Sequence, residues 1–382
     1  MPVSDKGITR ILEKNSGTMN LKTTILLILC VFPALLFPQT QKSEENRLPE
    51  SERIFSTVQR TDAKTQAAKS DWRKQTKLGE ITYILRMPES WTKERDEAAS
   101  RSKIPSFRGI LAICTWENNT ENLRKNVSIS ESNYRHLIKF ADDNNLAVLT
   151  WQNFGGYLIS TSSDEMTKTQ RRDTEFMFND RLAEWERGFR KVLKKYNLPP
   201  NTTLAYGFSG GAQMIHRIAL RKPQYFSGIH IHVNSSYDIP TPNAKNIVWL
   251  VTTGELEYGY AASTRFYQKM LDLGYCVIFK AGENIGHETN EQIENLSVEF
   301  FKYMANFLPD PTNQNWKVPP IDKYYLLRHP TYIGDYLNQV AFPAETAVKQ
   351  VGDRKYMVAL PTKPIAQAWG TIIENKPYDG SK

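Results

Sequence analysis

Cysteine is scarce: Cys30, Cys114 and Cys276 are the three in 382 residues, and no two stand at C-x-x-C spacing. That excludes a disulfide scaffold and a cysteine-built zinc site, and leaves Cys114 and Cys276, inside strand-like runs, as small buried hydrophobes. Long apolar runs are scarce too, and the mean hydropathy of −0.51 excludes a multi-span membrane protein. Twenty Gly and twenty Pro follow no collagen-like period, and there is no internal repeat or low-complexity tract, so fibrous and solenoid architectures fall away. Charge of one sign is not concentrated either. The 49 Lys+Arg are dispersed among 41 Asp+Glu, and a net +8 without a basic stripe gives no nucleic-acid footprint. Neither H-E-x-x-H nor a phosphate loop occurs, so no metal or nucleotide cofactor is implied.

What is present begins with an address. Ile25 to Phe37 reads ILLILCVFPALLF, preceded by Lys22 and followed by a polar exit. That is the order of a secretory signal peptide starting at Met19, with residues 1–18 as an upstream extension. The expectation is a secreted or periplasmic protein without stable membrane insertion after cleavage; an uncleaved signal anchor is the alternative. Residues 41–76 are charged and poor in large apolar side chains and read as a polar spacer with one exposed helix.

Beyond it, strand and helix patterns alternate. Strand-like runs are Glu80–Met87, Gly109–Trp116, Leu146–Trp151, Thr203–Phe208, Gly228–Val233, Ile247–Thr252 and Tyr275–Lys280. Helical patterns fall at Ser130–Asp143, Asp173–Tyr196, Gly211–Arg221, Ala261–Leu273 and Glu288–Phe307. Strands separated by helices of this length predict a doubly wound, mostly parallel α/β sheet over residues 77–307, with sites gathered at the carboxyl ends of the strands.

Directly after one such strand stands Gly207-Phe208-Ser209-Gly210-Gly211, then a helix. This is G-x-S-x-G in the strand-turn-helix setting the motif requires. The glycines remove Cβ atoms that would crowd a tight turn, so Ser209 is raised above the sheet. The helix behind it aims free N–H groups at developing negative charge, which makes the Gly210 N–H a candidate oxyanion donor.

At GFSGGAQ and the following HRIAL the chain resembles the α/β-hydrolase superfamily, and within it the secreted esterases that include polyhydroxybutyrate-depolymerase-like and feruloyl-esterase-like proteins. The resemblance implies a serine nucleophile, then an acid, then a histidine in chain order. It implies His287, in the loop AGENIGH after the last strand, as the base, with His329 as the alternative. For the acid it implies Glu257, with Glu255 and Asp238 as alternatives. The second oxyanion donor falls on Trp116, or on Thr115, where the family often carries His-Gly.

Aromatics collect where the strands end: Trp116, Trp151, Phe154, Phe208, Tyr237, Tyr258 and Tyr260. Trp151, Phe208 and Tyr258 are taken as substrate-binding, and residues 152–172 as one wall of the site. Only Asn234 to Asn246 separate two strands at the place where many members of the superfamily insert a cap, so no cap domain is expected and a bulky or polymeric ester has access. The irregular, Pro-rich extension over residues 308–382 is expected to pack on the hydrolase body, either steadying an edge or bringing Tyr336 or Trp369 to the cleft. The expected activity is carboxylic-ester hydrolysis, with a small-molecule or polymeric ester as partner. A serine peptidase on the same fold and a catalytically silent extracellular binding protein are the rivals.

Overall fold

A computed structural model of the chain describes residues 52–56, 81–91, 93–154, 168–310, 323–347, 351 and 353–374, all within the unit Leu48–Lys382. The stretch read as a signal peptide lies outside the described residues, as does most of the proposed wall, residues 155–167.

Eight strands form the main sheet: β1 (Glu52–Ser56), β2 (Thr82–Arg86), β3 (Gly109–Cys114), β4 (Leu146–Trp151), β5 (Thr203–Phe208), β6 (Phe226–His232), β7 (Val248–Gly254) and β8 (Cys276–Gly282). Their spatial order is β1-β2-β4-β3-β5-β6-β7-β8. β2 runs antiparallel to both β1 and β4, and every pairing from β4 to β8 is parallel. This is the α/β-hydrolase fold. β3, β4, β6 and β7 are buried at every residue, which is why they read as unbroken apolar runs rather than alternating ones.

The helices are α1 (Lys93–Ser102), α2 (Thr120–Val127), α3 (Arg135–Asp143), α4 (Lys168–Lys195), α5 (Gly210–Arg221), α6 (Tyr260–Asp272) and α7 (Glu291–Ala305). They cover both faces of the sheet. On one face Tyr206 meets Tyr134 and His230 meets Phe301 of α7, while Phe140 of α3 stacks on Phe301. On the other, Gly207 abuts α5 and Trp249 meets Phe266 of α6; α4 lays Trp185 and Phe189 against Trp151.

Two expectations differ from the structure. β1 lies inside the stretch read as spacer, where ERIFS pairs with β2; five residues among charged neighbours leave too short a pattern to register. The C-terminal extension, expected to be irregular, carries a second sheet. Strands β9 (Tyr332–Asp335), β10 (Val340–Pro343), β11 (Met357–Leu360) and β12 (Thr371–Ile372) pair in the order β11-β9-β10-β12, with helix α8 (Lys363–Trp369) beside them. Tyr336 packs on Phe279 and Tyr267. Trp369, fully buried, donates its indole N–H to the Phe279 carbonyl of β8 at 2.7 Å. Neither residue lines the cleft described below; both steady the body.

Candidate active site

The strand-to-helix turn sets the site. Ser209 caps α5 with φ 53° and ψ −120°, a conformation that a side-chain-bearing residue adopts only under strain, and its N–H donates to the His232 carbonyl at 3.0 Å. The turn can be this tight because of what flanks it. A Cβ on Gly211 would lie 1.9 Å from the Cys114 carbonyl oxygen, and one on Gly210 would lie 1.7 Å from Trp116 Cε3.

The loop after β8 brings His287 over the serine, with Nε2 2.8 Å from Ser209 Oγ. The loop after β7 brings Glu257 behind it, with Oε2 3.0 Å from Nδ1. A carboxylate only accepts, so Nδ1 carries the proton and Nε2 presents a lone pair to the Ser209 hydroxyl. The Glu257 side chain is 1% exposed, and its other oxygen accepts weakly from the Gly259 N–H. The imidazole sits between two rings, Phe208 edge-on at 5.5 Å and Tyr258 stacked at 5.9 Å.

The other acids do not reach this histidine. Glu255 is exposed and accepts from the Asn284 N–H. Asp238 accepts from Arg217 and Arg221, which also hold Glu175, while its own N–H donates to His216. Burial would raise the Asp238 carboxyl, but His216 and the two guanidiniums outweigh that and hold it at about 2. His329 stands in the C-terminal extension against Tyr325.

The backbone N–H groups of Gly210 and Trp116 have no acceptor among the described residues. They belong to different loops, and Asn153 ties those loops together: its amide donates to the Thr115 carbonyl at 3.1 Å and to the Gly210 carbonyl at 3.4 Å. Asn153 was not legible in the sequence; only its place two residues past a strand end hinted at it.

A cleft of about 890 Å³ opens from Ser209, and Trp116 and Tyr258 are among its lining residues. Of the three aromatics taken as substrate-binding, Tyr258 lines it. Trp151 does not: it is fully buried among Tyr83, Trp185 and Phe189, because the last residue of a central strand points its ring into the core. Phe208 packs against His287 and His232 rather than facing the cleft.

Beneath the site runs a buried polar chain of strand residues, His230, His232 and Thr252, that no local sequence pattern announces. His232 Nε2 lies 3.1 Å from the Glu288 carbonyl, and Thr252 Oγ1 lies 2.7 Å from both His232 Nδ1 and His230 Nε2. His230 Nδ1 is 2.8 Å from Ser297 Oγ. Burial holds both imidazoles neutral, His232 at about 4 and His230 well below its usual range. The carbonyl at one end fixes every proton: His232 donates to Glu288, Thr252 to His232, His230 to Thr252, and Ser297 to His230. Glu288 directly follows His287, so the chain anchors the loop that carries the base.

Among the described residues no three His, Cys, Asp or Glu side chains group as metal ligands, and no helix is long and apolar enough to cross a membrane. No family model and no curated protein sequence matches the chain. Similar solved structures include a thermostable esterase, 15% identical over 61% of this chain and 55% of that one, with a TM-score of 0.41. They also include a ferulic acid esterase at 13%, covering 62% and 92%, TM-score 0.37. A third is the BES protein from Bacillus cereus at 9%, covering 70% and 99%, TM-score 0.42. The chain thus spans about half the length of the first of these. Likeness at this level carries no argument about activity, which rests on the site.

Proposed function

We propose that the chain is an exported serine hydrolase acting on carboxylic esters. The observation that carries this reading is the unbroken hydrogen-bonded line from Ser209 Oγ through His287 to buried Glu257, at a strained turn beside two acceptor-free N–H groups. In this reading His287 Nε2 takes the hydroxyl proton as Ser209 Oγ attacks the ester carbonyl carbon. Glu257 holds the tautomer and stabilises the imidazolium. The Gly210 and Trp116 N–H groups receive the developing oxyanion, and Asn153 keeps them at a fixed separation. Collapse of the tetrahedral intermediate breaks the bond to the alcohol, which leaves with the proton from His287. Water, deprotonated by the same nitrogen, then hydrolyses the acyl-enzyme. Export is supported by the order of charge, apolar core and polar exit around Ile25–Phe37.

The test is to treat the mature protein with a fluorophosphonate, locate the adduct by mass spectrometry, and compare wild type with Ser209→Ala on an ester and amide panel. The expected result is one adduct, on Ser209, and ester turnover lost in the variant. No adduct at Ser209 would overturn the reading in favour of a silent binding protein, and turnover of amides ahead of esters would redirect it to a peptidase.

A further inference from the structure

We infer that the cleft selects esters carrying a carboxylate or similar anion away from the scissile bond, held by Arg265 and Lys269 of α6. This rests on the hydrolase reading and names the substrate class for the same Ser209 site. Three of the residues lining the cleft are charged: Asp238, Arg265 and Lys269. Asp238 is already neutralised by Arg217 and Arg221. The two remaining charges are both positive, and neither has an ion pair or hydrogen bond among the described residues.

Several exposed helical cations pair with an acid three or four residues away, as in Lys125–Glu121, Lys139–Asp143 and Lys302–Glu299. Arg265 and Lys269 occupy the same i, i+4 spacing with like charge, an arrangement that opposes the helix unless an anion lies between them. With Ala262 and Phe266 they form one helical face turned to the cleft. Phe266 stacks on Tyr237 with centroids 4.2 Å apart, giving an apolar floor between the nucleophile and the cations. The face from Ala262 to Lys269 runs about 10 Å at the α-helical rise, so the anion is separated from the ester by a spacer and is not adjacent to it. The lining residues Ser235 and Ser236 are uncharged and do not compete for the cations.

The cations would hold an anion on either the acyl or the alcohol part, and two arms separate these. The acyl arm compares 4-nitrophenyl hydrogen suberate with the corresponding terminal carboxamide. The alcohol arm compares the butyryl ester of 3-(4-hydroxyphenyl)propionate with its primary amide. In at least one arm kcat/KM for the carboxylate should exceed that for the carboxamide about tenfold at low salt. In Arg265→Gln/Lys269→Gln that ratio should fall to about one, and 0.5 M NaCl should lower it in wild type. A ratio of one or less in both arms, or a preference that survives the double variant, overturns the inference while leaving the hydrolase reading intact. Absence of turnover on all four esters together with no Ser209 adduct removes both.

Discussion

Replacing Thr252 by valine removes one hydroxyl and keeps the side-chain shape, so it isolates the polar chain under the site. In the wild-type chain Thr252 Oγ1 accepts from His230 and donates to His232, both fully buried. Without it the His230 N–H and the His232 lone pair are both orphaned. His230 can move its proton to Nδ1 and donate to Ser297, but that only exchanges an orphaned donor for an orphaned acceptor. At about 1–3 kcal/mol for each of the two unsatisfied buried groups, less up to about 1 kcal/mol for the added methyl, the loss should be about 1–6 kcal/mol. Thr252→Ser keeps the hydroxyl and loses a methyl, so it should cost only about 1 kcal/mol. Urea unfolding followed by circular dichroism measures both, and long-range nitrogen NMR of the imidazoles should show Nε2 protonated in both histidines of the wild type. Because the chain ends on the Glu288 carbonyl, kcat on an ester should fall for valine and recover for serine. A valine variant within about 0.5 kcal/mol of wild type would refute the directed chain of protons.

Glu257→Gln should lower kcat about 10³–10⁴-fold, because an amide either hands His287 the wrong tautomer or turns its N–H₂ onto the Gly259 N–H, and neither orientation carries the charge. Steady-state ester hydrolysis should show Glu255→Gln within about threefold of wild type. Acid should destabilise the protein in two windows. His216 and His232, both lowered by burial to about 4, stay neutral in the fold while the unfolded chain protonates near 6.5; stability on the order of a few kcal/mol is therefore present above that pH and lost as pH falls towards 4. The Asp238 contribution is present above about 3.9 and lost only as pH falls towards 2. Calorimetry at half-unit pH steps resolves the two, and a flat midpoint from pH 6.5 to 4 would contradict neutral buried imidazoles. Ser209→Gly should be inactive yet about 1 kcal/mol more stable, since relief of about 1–3 kcal/mol of backbone strain outweighs the flexibility glycine adds to the unfolded chain. A less stable glycine variant on thermal unfolding would count against strain at the turn.

The sequence made the parallel strands readable because strands covered on both faces show continuous apolar runs, and it made the elbow readable because a crowded turn demands glycines at fixed places. Glu257 and His287 were reachable through chain order. Trp151 was misplaced because an aromatic at a strand end is equally suited to a rim or a core, and only the layer of α4 decides. α1, KERDEAASRS, carries no apolar stripe to detect. Asn153 and Thr252 act through partners 38 to 57 and 20 to 22 residues away, and no local pattern announces such pairings.

The C-terminal sheet has a consequence for how the molecule behaves among its own copies. β8 is the last strand of the main sheet, with a row of backbone groups facing away from β7. An open edge of this kind is a template for another chain. Trp369 occupies the Phe279 carbonyl there, and Lys280, whose ammonium lies 5.1 Å from the Trp369 ring centroid, bonds Gln339 of the same extension. A chain ending near Leu308 would keep Ser209, His287 and Glu257 but bare that edge. Such a chain is expected to self-associate through β8 and not to lose the Ser209 site.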